Sequence, residues 1–334
     1  MNNCIGIDVS KDTLQVALLV MAGNGIKTKA SSKFSNNESG FEKFFQWSQN
    51  KLKGEKCLFV MEATGVYHEN ILDYLFFKEQ SVCVELPNKI KHFAKSLNIK
   101  SKTDKIDASI IAQYGLERRP KTWKPMSGKL PEMRSISRMI MTLKKDNVRY
   151  KNRFAALIAT NRSSDELVME VREMTELFDS KIKNLEDRLM NLAQQDNVFF
   201  EKVRKVSTIK GIRELTIIQV LCETNGFFLM ENVRQLCSYA GMDVVVYESG
   251  TIYRRGGISK KGNARVRHLL YLPALVMAHC GCDNIKNFYK RIVDKNPKAK
   301  KKAIVAVERK LLTLIYTLWK NDSVFIDNYL DGIQ

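Results

Sequence analysis

Hydrophobic positions change their period along this chain of 334 residues. Near the start, Cys4-Ile5-Gly6-Ile7-Asp8-Val9 and Leu14-Gln15-Val16-Ala17-Leu18-Leu19 are short apolar segments separated by Ser10-Lys11-Asp12. Turn residues between two such runs predict a β-hairpin. A helical pattern over Phe41 to Lys51 precedes Cys57-Leu58-Phe59-Val60-Met61, a continuous apolar run suited to a strand buried on both faces. A second helix over about Tyr67 to Glu79 and the strand Ser81-Val82-Cys83-Val84-Glu85-Leu86 follow. Strands alternating with helices predict an α/β layer domain.

From Ser135 the period becomes helical. Leu167, Val171, Met174, Phe178, Ile182, Leu185, Leu189 and Leu192 recur at spacings of three and four, a coiled-coil or helical-hairpin seam. Spacing alone serves an intramolecular helix pair and a dimerisation stalk equally. A second globular region begins near Val203. The expected division is therefore 1–134, an α/β domain; 135–202, a long helical segment; and 203–330, a mainly α C-terminal domain.

Charge changes the picture. The chain has 55 Lys and Arg against 36 Asp and Glu, a formal net charge of +19. That excess attracts polyanions at long range, and nucleic acid is the default partner. It is concentrated in two blocks: Pro87 to Arg153 holds 18 basic and 5 acidic residues, and Tyr253 to Lys302 holds 14 and 2. Between them, Asn161 to Glu201 has 10 acidic and 5 basic residues and is unsuited to phosphate. A membrane-surface role needs an anchor or a basic amphipathic helix with an aromatic face, and neither is evident. The longest apolar stretch, Leu269 to Ala278, contains Pro273 and is too short to span a bilayer. Met-Asn-Asn-Cys runs directly into the first strand, so no signal peptide is expected. Seven cysteines without a CxxC pair suggest reduced thiols in a cytoplasmic protein, and a nucleic-acid partner would make it nucleoid-associated. His68, His92, His268 and His279 have no ligand spacing and read as structural.

Acids in apolar settings are the candidate chemistry. Asp8 lies inside the first strand and Glu62 ends the apolar run Phe-Val-Met-Glu. A carboxylate buried there is costly unless it is paired or holds a cation. Asp104 and Asp107, in Lys102-Thr103-Asp104-Lys105-Ile106-Asp107-Ala108, share a face if a helix starts there, although Asp104 alone reads as an N-cap. Hard oxygen ligands in this number suit Mg²⁺ or Mn²⁺, and a pair of ions would serve in-line phosphoryl displacement.

In this order the four acids resemble the D, E, D and D of the RNase H-like (RuvC-like) DEDD domain of insertion-sequence transposases related to Piv-type DNA invertases. Thr64-Gly65-Val66-Tyr67 and Lys102 to Ala108 look like motifs of the same family. Further on, Val206-Ser207-Thr208-Ile209-Lys210-Gly211-Ile212-Arg213 before a helix from Leu215 to Glu223 looks like a helix-hairpin-helix. Arg213 stands where that motif has its second glycine, and a plain αα-hairpin is the alternative. Lys210 and Gly211 would meet a DNA phosphate there.

The segment Ser249-Gly250-Thr251-Ile252-Tyr253-Arg254-Arg255-Gly256-Gly257-Ile258-Ser259-Lys260-Lys261-Gly262-Asn263 reads as a phosphate-handling loop or a solvated basic turn. With Arg265, Arg267 and His268 behind it, it resembles the C-terminal domain of the same transposases. Met242-Asp243-Val244 lacks the proline common at that point of the family. The resemblance implies a serine that attacks DNA, completed by the DEDD domain of another protomer. Ser249 is the choice, with Ser238 and Ser259 as alternatives. It further implies a transposase or site-specific recombinase that forms a dimer or tetramer, is guided by a structured bridge RNA, and binds nucleic acid through Lys210, Gly211, Arg254, Arg255, Lys260, Lys261, Arg265 and Arg267. A water-using RNase H-like nuclease of the junction-resolvase type and a DNA invertase are the alternatives.

Overall fold

The computed structural model describes residues 1–23, 25–63, 66–99, 103–123, 128–160, 164–228, 230–249 and 252–326, with the side chains of Ile252 and Arg255 outside the description. Thr64, Gly65, Lys102, Gly250 and Thr251, named above, also lie outside it. The chain forms two compact units, Met1–Pro125 and Met126–Gln334.

The first unit comprises β1 (Asn3–Val9), β2 (Thr13–Ala22), β3 (Gly25–Ser35), α1 (Glu38–Leu52), β4 (Cys57–Glu62), α2 (Glu69–Phe77), β5 (Ser81–Glu85), α3 (Pro87–Ser96) and α4 (Asp104–Arg118). Its sheet has the order β3-β2-β1-β4-β5, with β1, β4 and β5 parallel and β2 antiparallel to both its neighbours. This is the RNase H-like arrangement. Alternating side chains give β1 and β4 two apolar faces. Ile5, Ile7, Val9, Phe59 and Met61 pack under α1 and α2, while Cys4, Leu58 and Val60 pack under α3 and α4. The β1 strand is therefore central in the sheet and covered on both sides.

Two small residues bring α4 onto the sheet. A Cβ on Gly6 would stand 2.1 Å from the carbonyl oxygen of Ala108 and 2.4 Å from the amide of Ala112, so only a glycine admits the helix there. At the other end of β1, Gly115 lies against Cys4 and Val60. The helix thus runs antiparallel to β1.

The second unit is mainly helical: α5 (Leu130–Ile158), α6 (Asp165–Gln194), α7 (Asn197–Ser207), α8 (Glu214–Thr224), α9 (Val233–Tyr239), β6 (Val244–Ser249), β7 (Ile252–Ile258), α10 (Ala264–Cys280), α11 (Asp283–Lys295), a 3₁₀ turn (Pro297–Ala299) and α12 (Lys300–Asn321). Residue 134, the boundary expected from sequence, falls within α5. Ion pairs Arg188–Glu132, Lys144–Glu186 and Lys151–Asp179 match rising positions on α5 to falling ones on α6, so these helices pack antiparallel within the chain. Of the expected seam, Val171, Ile182 and Leu189 are buried, while Leu167 and Met174 are exposed. Pro273 sits inside α10, which continues through it.

One expectation is corrected. Ser249 to Asn263 is not a loop throughout, because Ser249 ends β6 and Ile252–Ile258 forms β7, which pairs with β6 in a two-stranded antiparallel ribbon. The register sets Tyr247 against Arg254 and Val246 against Arg255, with an irregularity between Val244 and Val246. Tyr, Ile and Val on the two strands supply β-propensity that composition in Gly, Arg and Lys concealed.

All seven cysteines are free, and Cys280 alone of them is exposed. No helix among the described residues is long and apolar enough to cross a membrane.

Candidate active site

Parity decides which face each acid occupies. On β1, Cys4 and Gly6 meet α4, so Asp8, two residues on, shares their face. On β4, Val60 touches the position of Gly115, which puts Glu62 on the same face. The strands are in register through Ile7 and Met61, one step before Asp8 and Glu62. These two acids therefore end adjacent parallel strands on the α4 side of the sheet, both half-buried.

The helix brings the other two acids to them. Gly115 is level with Cys4, and the midpoint of Ala108 and Ala112 is level with Gly6. Two strand residues advance about 6.6 Å, roughly four to five helical residues at 1.5 Å each, which sets the first turn of α4 level with Asp8. That turn contains Asp104 and Asp107. Thr103 is the N-cap, its hydroxyl accepting a 3.3 Å hydrogen bond from the amide of Ile106. Asp104 is thus the first helical residue and not the cap, so its carboxylate is not committed to that task. The N-terminal dipole of α4 favours both negative charges.

The four sequence-predicted acids thereby gather at one corner, the C-terminal edge of β1 and β4 beneath the start of α4. Among the described residues, no three His, Cys, Asp or Glu side chains are close enough together to hold a metal ion. The donor chemistry of the corner, four hard carboxylates on rigid elements, fits a divalent cation of the Mg²⁺ type.

A fifth acid was missed. Glu85 ends β5, pairs in register with Glu62, and shares the face of Cys83. It is buried and accepts a 2.8 Å ion pair from Lys89. The buried phenol of Tyr114 beside it is held above its ordinary value by burial and by the Glu85 charge. The same signal that marked Asp8 and Glu62, an acid closing an apolar strand, also marks Glu85.

In the second unit, Ser249 is exposed at the last position of β6, opposite Ile252. Ser238 is exposed on α9, whereas Ser259 is half-buried and its hydroxyl accepts from the Lys261 amide at 3.3 Å. Lys210 and Gly211 lie exposed in the turn between α7 and α8, with Ile209 and Ile212 buried beside them. Arg254, Lys260, Lys261 and Arg265 are exposed. Arg267 turns inward and donates from Nη1 to the carbonyl of Ala240 at 2.7 Å. Sequence reasoning also missed a buried polar group around Glu223, to which Arg138, Tyr239 and Asn263 bond.

Two family models match the chain. Residues 5–160 match a DEDD-type transposase model, and residues 203–290 match the model described as Transposase IS116/IS110/IS902 family. The class so defined is an enzyme of DNA transposition and recombination. The chain belongs to the IS110 family of DEDD transposases, which is related to DNA invertases. The pilin gene-inverting proteins of Moraxella bovis and Moraxella lacunata are each 28% identical to it over 324 residues, covering 96% of this chain and 97% of theirs. Among solved structures, RuvC of T. thermophilus in complex with a Holliday junction substrate matches with a TM-score of 0.27 at 12% identity, covering 36% of this chain and 96% of that one. A Ppx/GppA family member of Aquifex aeolicus matches with a TM-score of 0.23 at 10% identity, covering 94% and 90%. Neither structural likeness is close enough to bear on function.

Proposed function

We propose that this transposase cuts and rejoins DNA through a serine nucleophile, with Asp8, Glu62, Asp104 and Asp107 as the ligands of two Mg²⁺ or Mn²⁺ ions and Ser249 as the attacking group. The observation that carries the reading is the gathering of the four acids at one corner, produced by the antiparallel course of α4 over β1. Divalent ions bound there supply Lewis-acid stabilisation of charge on the phosphoryl oxygens. The Ser249 hydroxyl gives up its proton as its oxygen attacks phosphorus, the bond to the leaving deoxyribose oxygen breaks, and that oxygen takes up a proton in turn. The phosphoserine diester conserves the bond energy until a second deoxyribose hydroxyl reverses the step. Lys210, Gly211, Arg254, Arg255, Lys260, Lys261 and Arg265 contact phosphates, and Arg267 braces the backbone beneath them.

Three further parts belong to the same reading. The serine and the acids come from different protomers of a dimer or tetramer, and the exposed Val148, Ile158, Leu167, Met169 and Leu177 of the α5–α6 hairpin support self-association. A structured guide RNA directs the choice of DNA, and the basic blocks suit its backbone as well as that of DNA. The protein acts in the cytoplasm at the nucleoid.

Inversion of a resident DNA segment is the second reading, favoured by the end-to-end match to the pilin gene-inverting proteins. The test incubates the protein with Mg²⁺, a plasmid bearing the DNA that flanks its gene, and RNA transcribed from those flanks. A protein–DNA adduct lost in both Ser249→Ala and Asp8→Ala is expected. Cleavage without an adduct, unaffected by Ser249→Ala and abolished by Asp8→Ala, would establish a water-using nuclease instead. Junction sequencing then separates inversion from transposition.

A further inference from the structure

Among the described residues, the backbone bonds that tie the ribbon carrying Ser249 to the helical body lie at its base. Six residues of β6 at about 3.3 Å each place Ser249 roughly 20 Å from that base. Where the serine can reach is therefore set by the neck, residues 239–243 and 259–263. The two sides of the neck are closed by backbone bonds: Ser259 N to Asp243 O at 2.7 Å, Lys260 N to Gly241 O at 3.0 Å, and Asn263 N to Tyr239 O at 2.7 Å. They approach so closely that a Cβ on Gly262 would stand 2.4 Å from both the amide of Gly241 and the carbonyl oxygen of Tyr239.

Both sides also end on one residue outside the neck. The Glu223 side chain on α8 has no exposed surface. It accepts 2.8 and 3.3 Å hydrogen bonds from Nε and Nη2 of Arg138 on α5, and a 2.9 Å bond from Nδ2 of Asn263. Its backbone carbonyl accepts a 2.6 Å bond from the Tyr239 hydroxyl, which in turn accepts one from Asn263 Nδ2 at 3.1 Å. Tyr239 is the first residue of one side of the neck and Asn263 the last of the other. Asn263 has a second task, since its Oδ1 caps α10 through the amides of Arg265 and Val266. Burial pushes the Glu223 carboxyl up, but the bonds and charges of Arg138, Asn263 and Arg134 outweigh it and hold the group below its ordinary range. A buried charge so fully engaged resists displacement more than an apolar contact would, because removing a partner strands the rest.

We infer that Glu223 is a positioning residue, which anchors both sides of the neck to the helical body and so fixes where the ribbon delivers its serine. The inference rests on the proposed role of Ser249. Glu223 itself touches no reacting atom. Its loss acts through Tyr239 and Asn263 on a group about 20 Å away, where a small tilt at the neck becomes a large displacement at the tip. A nucleophile displaced by about 1 Å costs on the order of 10²-fold in rate.

The experiment compares wild type with Glu223→Gln and Tyr239→Phe, the second removing a single hydroxyl so that folding is not at stake. Amide hydrogen exchange on the full chain without DNA reads the neck. Single-turnover adduct formation and DNA affinity, with Mg²⁺ and flank DNA, read the chemistry. The expected result is faster exchange at Ser259, Lys260 and Asn263 with α12 unchanged, adduct formation slowed on the order of 10²-fold in Glu223→Gln and less in Tyr239→Phe, and unchanged affinity. Exchange that quickens equally in α12 would assign Glu223 to general stability and overturn the inference. So would a loosened neck with a wild-type adduct rate. Wild-type protein that cleaves without any adduct removes the serine reading first, and the exchange measurement, which needs no DNA, still decides whether Glu223 holds the neck.

Discussion

The acid corner is carried by elements covered on both sides, whereas Ser249 is carried by a two-stranded ribbon with Val246, Tyr247, Tyr253 and Arg254 exposed. In the first unit, position is enforced by packing. Asp8 and Glu62 close central parallel strands and Asp104 and Asp107 open a helix pressed on Gly6, so none can shift without moving a core. In the second unit, position is enforced at a distance. An isolated hairpin has little stability of its own, and the neck must supply the constraint. The contrast matches the two demands of the proposed reaction. Carboxylates that share ions need fixed separations, while a nucleophile that visits a scissile phosphate needs reach.

The comparison is broken most severely by removing chemistry from one side and restoring it from the other. Asp8→Asn and Ser249→Ala should each lose at least about 10³-fold in adduct formation, a barrier change of about 4 kcal/mol. Mixing the two variants should then restore roughly a quarter of the wild-type sites if acids and serine come from different protomers. Half of random dimers are mixed, and each mixed dimer has one intact pairing of two. No recovery on mixing and exchange of subunits would place both groups in one protomer.

A smaller effect tests whether packing alone fixes the corner. Gly6→Ala forces a Cβ into the backbone of Ala108 and Ala112. Since backbone cannot yield as a flexible side chain can, a loss of about 2–3 kcal/mol is expected in urea unfolding, with DNA cleavage reduced in the protein that remains folded. The control is Gly23→Ala, where a Cβ meets nothing within 4 Å and stability should stay unchanged. Equal stability of the two variants would show that α4 can lift from the sheet at little cost.

Much of the first unit was legible because its chemistry interrupts its periodicity. Asp8 and Glu62 stand out as charges inside apolar runs, and Asp104 and Asp107 as acids at a helix start in Lys-rich sequence. The strand β3 was not legible. Its residues, Gly-Ile-Lys-Thr-Lys-Ala-Ser-Ser-Lys-Phe-Ser, form a largely polar sheet edge held by pairing with β2, with lysines that deter further pairing. Glu85 carried the same mark as Glu62 and was passed over because nothing local separates a ligand from an acid paired with Lys89. The Glu223 group was illegible for a different reason. Arg138, Glu223, Tyr239 and Asn263 are far apart in sequence; the first three read alone as ordinary polar helix residues and Asn263 as part of the basic segment before α10 until the fold brings them together.

The smallest predicted effect concerns Arg267, which braces the neck from the side opposite Glu223 in sequence. Glu308 on α12 is buried, and burial pushes its carboxyl up to about 7 against the opposing pull of the Arg267 guanidinium. An acid whose folded value exceeds its unfolded value of 4.5 binds more protons folded than unfolded. Stability should therefore fall as pH rises from about 4.5 to about 7 and level off above that range. Glu308→Gln removes this term. The variant should gain on the order of 1 kcal/mol over wild type at pH 8 and clearly less at pH 5 in urea titrations. A gain equal at both pH values would mean that shape, and not ionisation, limits this part of the core. A loss at pH 8 would mean that the Glu308 charge is needed to hold Arg267 against Ala240, which would make it a second electrostatic brace on the neck.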